Sequence, residues 1–159
     1  CYIFCFCPAL ILSCLLLSFA TFSGHESPIG QRQERMSRIL LADDAAALRG
    51  LVERTLAGDG HERVSVEDGN DALRALSSRA FDLVVSDLDM PGLDGMALAA
   101  RITSEISAKR ADVKILLISG LGEELHRAAG FPPKRVSTLQ KPFSLDQIRE
   151  RVRALLNNG

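Results

Sequence analysis

The sequence predicts an α/β fold in which a parallel β-sheet carries helices on both faces. Short apolar runs recur from residue 39 onward, and segments with helical spacing of apolar residues separate them. Glycines that favour loops, such as Gly58, Gly60 and Gly69, lie between the segments. Strands that alternate regularly with helices form parallel sheets, because each helix returns the chain to the same end of the sheet. We therefore expect right-handed crossovers.

Five apolar runs predict the strands. Each run is short, rich in branched aliphatic residues and bounded by turn signals, which is typical of strands buried on both faces. The runs cover Ile39–Ala42, Val64–Val66, Leu83–Ser86, Val113–Ile118 and Val136–Leu139.

Five helical segments follow the strands. Apolar residues at helical spacing mark four of them: Leu48, Leu51, Val52 and Leu56 in the first; Ala72, Leu73 and Leu76 in the second; Met96, Leu98, Ala99 and Ile102 in the third; and Leu145, Ile148, Val152, Leu155 and Leu156 in the fifth. The fourth predicted helix is the short segment Glu123–Ala129. The fourth is stopped by Pro132 and Pro133, because proline lacks an amide donor and clashes with the preceding turn. Ser144 is predicted to cap the last helix.

The N-terminal part of the chain differs in composition from the rest. Residues 1–24 contain no Asp, Glu, Lys or Arg, and all four cysteines lie in the first 14 residues. We interpret residues 1–23 as an apolar segment, residues 24–36 as a linker and residues 37–157 as the folded domain. The apolar segment is either a start-site artefact with the natural start at Met36, a membrane anchor or a signal peptide.

Bulk charge argues against a nucleic-acid partner. The 159-residue chain has a net charge of -1 and a pI of about 6.3, so a basic stripe is not expected. One Tyr and no Trp leave no aromatic platform for stacking single-stranded bases.

Polar residues stand at the ends of four predicted strands. Asp43 and Asp44 follow the first, Asp87 the third, Ser119 the fourth and Lys141 the fifth. The carboxyl ends of parallel strands meet at one edge of the sheet, which is where ligands bind. Two carboxylates about 4 Å apart repel by about 4 kcal/mol at an effective dielectric of about 20. Either one of them is protonated or a cation is bound, and oxygen ligands suit Mg²⁺.

This set of groups is suited to phosphoryl transfer. Asp87 is the candidate nucleophile, and Lys141 and Ser119 are candidate donors to the phosphoryl oxygens. Taken singly, each residue has a structural explanation. Asp94 before Gly95 is expected to cap a helix, and Asp43 with Asp44 would do the same for the first helix. The joint arrangement is more specific than any of its members.

Longer motifs around these residues resemble the receiver domain of bacterial response regulators in two-component signalling. The resemblance covers about residues 37–156, and in combination the motifs are highly specific. They are Ile39–Asp44, Glu67-Asp68-Gly69 with Ala72-Leu73, Ser86–Gly95, Leu116–Gly120 and Lys141-Pro142-Phe143.

The resemblance implies a flavodoxin-like, doubly wound (βα)5 fold with strand order 2-1-3-4-5. It also implies that Asp87 accepts a phosphoryl group from a histidine kinase or histidine phosphotransfer protein and that the domain signals by contact with an unknown downstream protein. Mg²⁺ would be ligated by Asp44, Asp87 and the backbone carbonyl of Asp89, with Asp43 acting mainly through water. Ser119 and Lys141 would contact the phosphoryl oxygens.

The implied protein is a stand-alone cytoplasmic regulator that catalyses only its own Mg²⁺-dependent phosphorylation and dephosphorylation. If the apolar segment is an anchor, Arg32, Arg35 and Arg38 would keep the domain on the cytoplasmic side. One departure from the family pattern is Thr138, where an aromatic switch residue is common.

Two alternatives are retained. Asp87-Leu88-Asp89 also resembles the nucleophile motif of haloacid-dehalogenase phosphatases, although in those enzymes the motif normally ends the first strand. The second alternative is a receiver-like module that binds partners without being phosphorylated.

Overall fold

The computed structural model describes residues 36–106, 112–120 and 122–157. The predicted apolar segment and residues 24–35 of the predicted linker lie outside these ranges. Within the ranges, no helix has the length and apolar character needed to cross a membrane.

One five-stranded parallel sheet organises the domain. Its strands are β1 (Arg38–Ala42), β2 (Glu62–Val66), β3 (Leu83–Asp87), β4 (Lys114–Ser119) and β5 (Val136–Gln140). They lie in the order β2-β1-β3-β4-β5, and every neighbouring pair is parallel. The predicted fold class and strand order are confirmed.

The helices follow the strands as predicted, with differences at two ends. They are α1 (Ala46–Gly58), α2 (Gly69–Ser78), α3 (Gly95–Arg101), α4 (Gly122–Arg127) and α5 (Leu145–Asn157). The third continues as a π-helical turn, Ile102–Ile106. The fourth begins one residue earlier than predicted and narrows into a 3-10 turn, Ala128–Gly130, ahead of the two prolines.

Ser144 forms the predicted cap. Its Oγ accepts a hydrogen bond from the Gln147 amide at 3.2 Å, and the Gln147 side chain accepts one from the Ser144 amide at 2.7 Å. This reciprocal pair is a capping box, which satisfies two backbone donors at the start of α5.

Successive residues of the central strands point to opposite faces of the sheet. Leu40 and Val84 pack in a cluster with residues of α2 and α3, whereas Leu41 and Val85 pack in a second cluster with residues of α1 and α5. All four side chains are at most 2% exposed. Because both faces are covered, the internal positions of the central strands are apolar except for Ser86 in β3, which explains the apolar runs in the sequence.

Two glycines allow the first turns of α2 and α3 to approach neighbouring backbone closely. A Cβ on Gly95 would lie 2.2 Å from the carbonyl oxygen of Asp87, and a Cβ on Gly69 would lie 2.2 Å from that of Leu93. Such contacts with backbone atoms cannot be relieved by rotating a side chain. The first turn of α3 therefore rests directly on the backbone of Asp87.

We expect Gly95→Ala to lower the free energy of unfolding by about 1–3 kcal/mol, the usual cost of forcing extra atoms into a packed site. Urea denaturation followed by circular dichroism measures this change. Gly130→Ala is the matched control, because a Cβ there meets nothing within 4 Å. It should change stability by less than about 1 kcal/mol. Equal stabilities for the two variants would contradict the packing argument.

Candidate functional site

The central strand β3 delivers Asp87 to the carboxyl edge of the sheet. All five residues of this strand are buried, and Asp87 stands beside Ile118 of β4 in the parallel register. The side chain of Asp87 is only 6% exposed. A carboxylate so placed has lost most of its water and depends on neighbouring groups for its solvation.

Asp43 and Asp44 follow the adjacent strand β1 and join Asp87 in an acidic cluster. One carboxylate oxygen from each of the three residues lies within 4.8 Å of the other two. Asp43 and Asp87 are buried, whereas Asp44 is exposed. The structure thus brings the three predicted carboxylates together in a cluster that is exposed to solvent at Asp44. The role of these carboxylates as metal ligands stays a prediction.

Lys141 supplies a positive charge to the cluster. Its Nζ donates a hydrogen bond to Oδ2 of Asp87 at 2.5 Å. Its backbone amide donates to the carbonyl oxygen of Ser119 at 2.8 Å, so the ends of β4 and β5 are joined beside the site. Ser119 is 1% exposed and lies one residue beyond Ile118, the partner of Asp87 in the register. All the predicted strand-end residues therefore meet at one edge.

Asp89 begins the loop that leads to α3. Its amide points to Oδ1 of Asp87 across 3.4 Å, which places the backbone of Asp89 next to the cluster. Farther along the same loop, Asp94 accepts a hydrogen bond from the amide of Ala97 at 2.7 Å and caps α3, as predicted.

The alternative explanation of Asp43 and Asp44 as the cap of α1 does not hold. The N-cap of α1 is Ala45, which has no side-chain cap. Asp43 instead accepts a hydrogen bond from the Ala45 amide at 2.8 Å, ahead of the helix. This local turn directs the Asp43 carboxylate into the acidic cluster, where it cannot reach the amides of the first helical turn.

The cluster carries more negative charge than its surroundings compensate. Burial is the main cause that raises the pKa of Asp43 above its ordinary value, and the charges of Asp87 and Asp44 raise it further. The Ala45 amide and the Lys141 ammonium act in the opposite direction and do not cancel these effects. Three carboxylates face one ammonium group, and the donors are all hard oxygens. The residues therefore fit a divalent cation such as Mg²⁺.

Two residues near the cluster were missed by the sequence reasoning. Arg49, in the first turn of α1, donates to the carbonyl oxygen of Asp43 at 2.5 Å and to Oε1 of Glu67 at 2.9 Å. Helical side chains lean towards the N-terminus of their helix. The sequence could therefore have indicated the contact with Asp43, because a long cationic side chain stands in the first helical turn after Asp43-Asp44. The contact with Glu67 joins distant parts of the chain and had no local signal.

Thr138 lies in β5, opposite Leu117 of β4, and is half-buried. The threonine that replaces the common aromatic residue therefore lies within β5, which pairs with the strand that ends at Ser119.

We expect Asp43→Asn to stabilise the metal-free protein by about 1 kcal/mol at neutral pH, a common magnitude for a single substitution. Asparagine removes a buried charge and can still accept the hydrogen bond from Ala45. The pKa of Asp43 is higher in the folded protein than its ordinary value of 3.8, so protonating Asp43 stabilises the fold. This stabilisation is complete below pH 3.8 and is lost as the pH rises through the folded pKa. The advantage of the variant should therefore shrink as pH falls towards about 4.

Thermal unfolding in EDTA across this pH range measures the effect. Asp146→Asn is the control, because its carboxylate is 93% exposed. If the Asp43→Asn variant were less stable than wild type at neutral pH, the charge argument would fail.

Comparisons with known proteins agree with this architecture. The family described as "Response regulator receiver domain" matches residues 39–153. The transcriptional regulatory protein TcrA of Mycobacterium tuberculosis (strain ATCC 25618 / H37Rv) is 34% identical over 122 residues, covering 77% of this chain and 47% of TcrA. The chain thus spans about half the length of the curated relatives it matches.

Solved structures are similar over the same region. The response regulator TrrA from Thermotoga maritima, in complex with Mg²⁺-BeF, is 32% identical with a TM-score of 0.63, covering 76% of this chain and 100% of TrrA. Chemotaxis response regulator CheY4 of Vibrio cholerae is 26% identical with a TM-score of 0.65, covering 76% of this chain and 99% of CheY4. The similarity to receiver domains that the sequence motifs indicate is confirmed, and the chain belongs to the response regulator receiver domain family of two-component systems.

Proposed function

We propose that this domain is a phosphorylation-dependent signalling switch whose phosphoacceptor is Asp87. The donor would be a phosphohistidine of a histidine kinase or a histidine phosphotransfer protein. The observation that carries the proposal is the position of Asp87, which is buried at a strand end, adjoins two further carboxylates and is held by Lys141. Membership of the receiver family supports the same assignment.

A divalent cation is part of the proposal. Asp44, Asp87 and the backbone carbonyl of Asp89 would hold Mg²⁺, and Asp43 would act mainly through water. When bound, Mg²⁺ withdraws negative charge from the phosphoryl oxygens and offsets the repulsion among the carboxylates. The uncompensated charge around Asp43 supports a cation here, as does the complex of TrrA with Mg²⁺-BeF.

In the transfer step, a carboxylate oxygen of Asp87 forms a bond to phosphorus as the N–P bond of the phosphohistidine breaks. The electron pair of that bond stays with the imidazole ring, which takes up a proton. Lys141 already contacts Oδ2 of Asp87, so its ammonium group is within reach of a phosphoryl oxygen on that carboxylate. Preorganised donors of this kind stabilise charge without having to reorganise during the reaction.

The readout would use the ends of β4 and β5. Ser119 is the last residue of β4 and Lys141 directly follows β5, and a backbone hydrogen bond already joins the two residues. If both contacted the phosphoryl group, the loops that follow them would move towards Asp87. A change in that surface would alter binding to a downstream protein, without turnover of a separate substrate. Dependence on a kinase or phosphotransfer donor supports a cytoplasmic location.

The two alternatives predict different chemistry. Asp87 ends β3 and not the first strand, which is unlike the haloacid-dehalogenase arrangement. A phosphatase of that class would hydrolyse small phosphate esters repeatedly. A module that binds partners without phosphorylation would gain no phosphoryl group at all.

Incubation with acetyl phosphate and Mg²⁺, followed by intact mass spectrometry, tests the proposal. The wild type should gain one phosphoryl group, the Asp87→Asn variant none, and EDTA should abolish the gain. Asp94→Asn is the matched control, because it removes an exposed acid from the loop between β3 and α3, and asparagine can still cap α3. A gain that persists in Asp87→Asn would contradict the assignment. Turnover of p-nitrophenyl phosphate would favour a phosphatase, and a wild type without any gain would favour phosphorylation-independent binding.

A further inference from the structure

Arg49 connects the loop that carries the acidic cluster to the end of a neighbouring strand. One guanidinium nitrogen donates to the carbonyl oxygen of Asp43 at 2.5 Å, and another donates to Oε1 of Glu67, just after β2, at 2.9 Å. The Arg49 side chain is 15% exposed, whereas that of Glu67 is 76% exposed. An ion pair with so exposed a partner contributes little by itself, so the contact with the carbonyl is the more important of the two.

The carbonyl that Arg49 contacts belongs to the peptide bond between Asp43 and Asp44. A peptide unit is planar, so holding its oxygen fixes the direction in which both flanking Cα atoms present their side chains. The amide of Asp43 is held as well, because it donates to the carbonyl oxygen of Val66 at 3.3 Å. Arg49 therefore adds a second anchor, on the peptide group that links the two acids ahead of α1.

We infer that Arg49 is a positioning residue for the cation site and raises its affinity for Mg²⁺ by fixing the Asp43–Asp44 peptide. This inference rests on the proposed function, in which these carboxylates bind Mg²⁺. Arg49 acts through the main chain and is not itself a ligand.

A purely electrostatic role for Arg49 predicts the opposite sign. The guanidinium is a positive charge close to the site, and it repels a second cation. Removing it would then tighten Mg²⁺ binding, most strongly at low ionic strength, where screening is weakest. Loss of positioning weakens binding and persists in high salt. The sign and the salt dependence therefore separate the two roles.

Isothermal titration calorimetry with MgCl₂ tests the inference, since the chain has no Trp to report binding by fluorescence. Arg49→Gln should raise the Kd for Mg²⁺ roughly tenfold, the usual effect of removing a group that orients metal ligands. Arg49→Lys keeps the charge and can make one of the two contacts, so its increase should be smaller. Glu67→Gln should stay within about twofold, because the exposed pair contributes little.

Arg49→Met is a second variant with the same expectation as Arg49→Gln. It keeps a long, unbranched apolar stem of high helix propensity at this largely buried position, which protects the fold if the glutamine variant does not fold. An unchanged or lower Kd in the folded variant would overturn the inference. So would a rise in Glu67→Gln as large as that in the Arg49 variants, because it would assign the effect to the ion pair. A wild type that binds no Mg²⁺ would instead overturn the proposed cation site, so the two failures are distinguishable.

Discussion

Repulsion among three carboxylates is the constraint on which the rest of this domain depends. A parallel sheet places the ends of β1 and β3 side by side, so Asp43, Asp44 and Asp87 are brought within 4.8 Å of one another. Burial makes this crowding more costly, as the raised pKa of Asp43 indicates. The other features of the site, from the ammonium group of Lys141 to the contact made by Arg49, can be understood as ways of holding these acids together.

The fold tolerates this repulsion because the stabilising interactions lie elsewhere. The two apolar clusters on opposite faces of the sheet contain the fully buried side chains of the central strands. At the opposite edge, where β1 begins, Arg38 pairs with Glu62 at 2.8 Å and its amide donates to Asp82 at the same distance. Opposite charges are therefore paired at one end of the sheet, while like charges are concentrated at the other. A local concentration of like charges is typical of functional sites, and the rest of the structure offsets the stability that it costs.

Sequence patterns predicted the central strands well and the edges less well. The strands β1, β3 and β4 are covered on both faces, and their internal positions are apolar apart from Ser86 in β3. The edge strand β2 begins with Glu62 and Arg63, both exposed, so its first two residues carry no apolar signal and were not predicted. The strand order came from the resemblance to a family, since periodicity does not determine which strands are neighbours. The sequence left capping of α1 open for Asp43 and Asp44, because an acid that caps a helix and an acid of a site can look alike in sequence. The contact between Arg49 and Glu67 depends on tertiary packing.

The close approach of Gly95 to Asp87 has a consequence for protein engineering. The acidic residues of this site can be copied onto another α/β scaffold by substitution, but the absence of a side chain at the start of α3 also has to be copied. A recipient scaffold with alanine or serine at that position would hold its helix farther from the strand, and the loop from Asp89 to Asp94 would adopt a different path. The transferable unit is therefore larger than the set of charged residues: it includes a glycine that contributes no functional group and defines how near the helix can come.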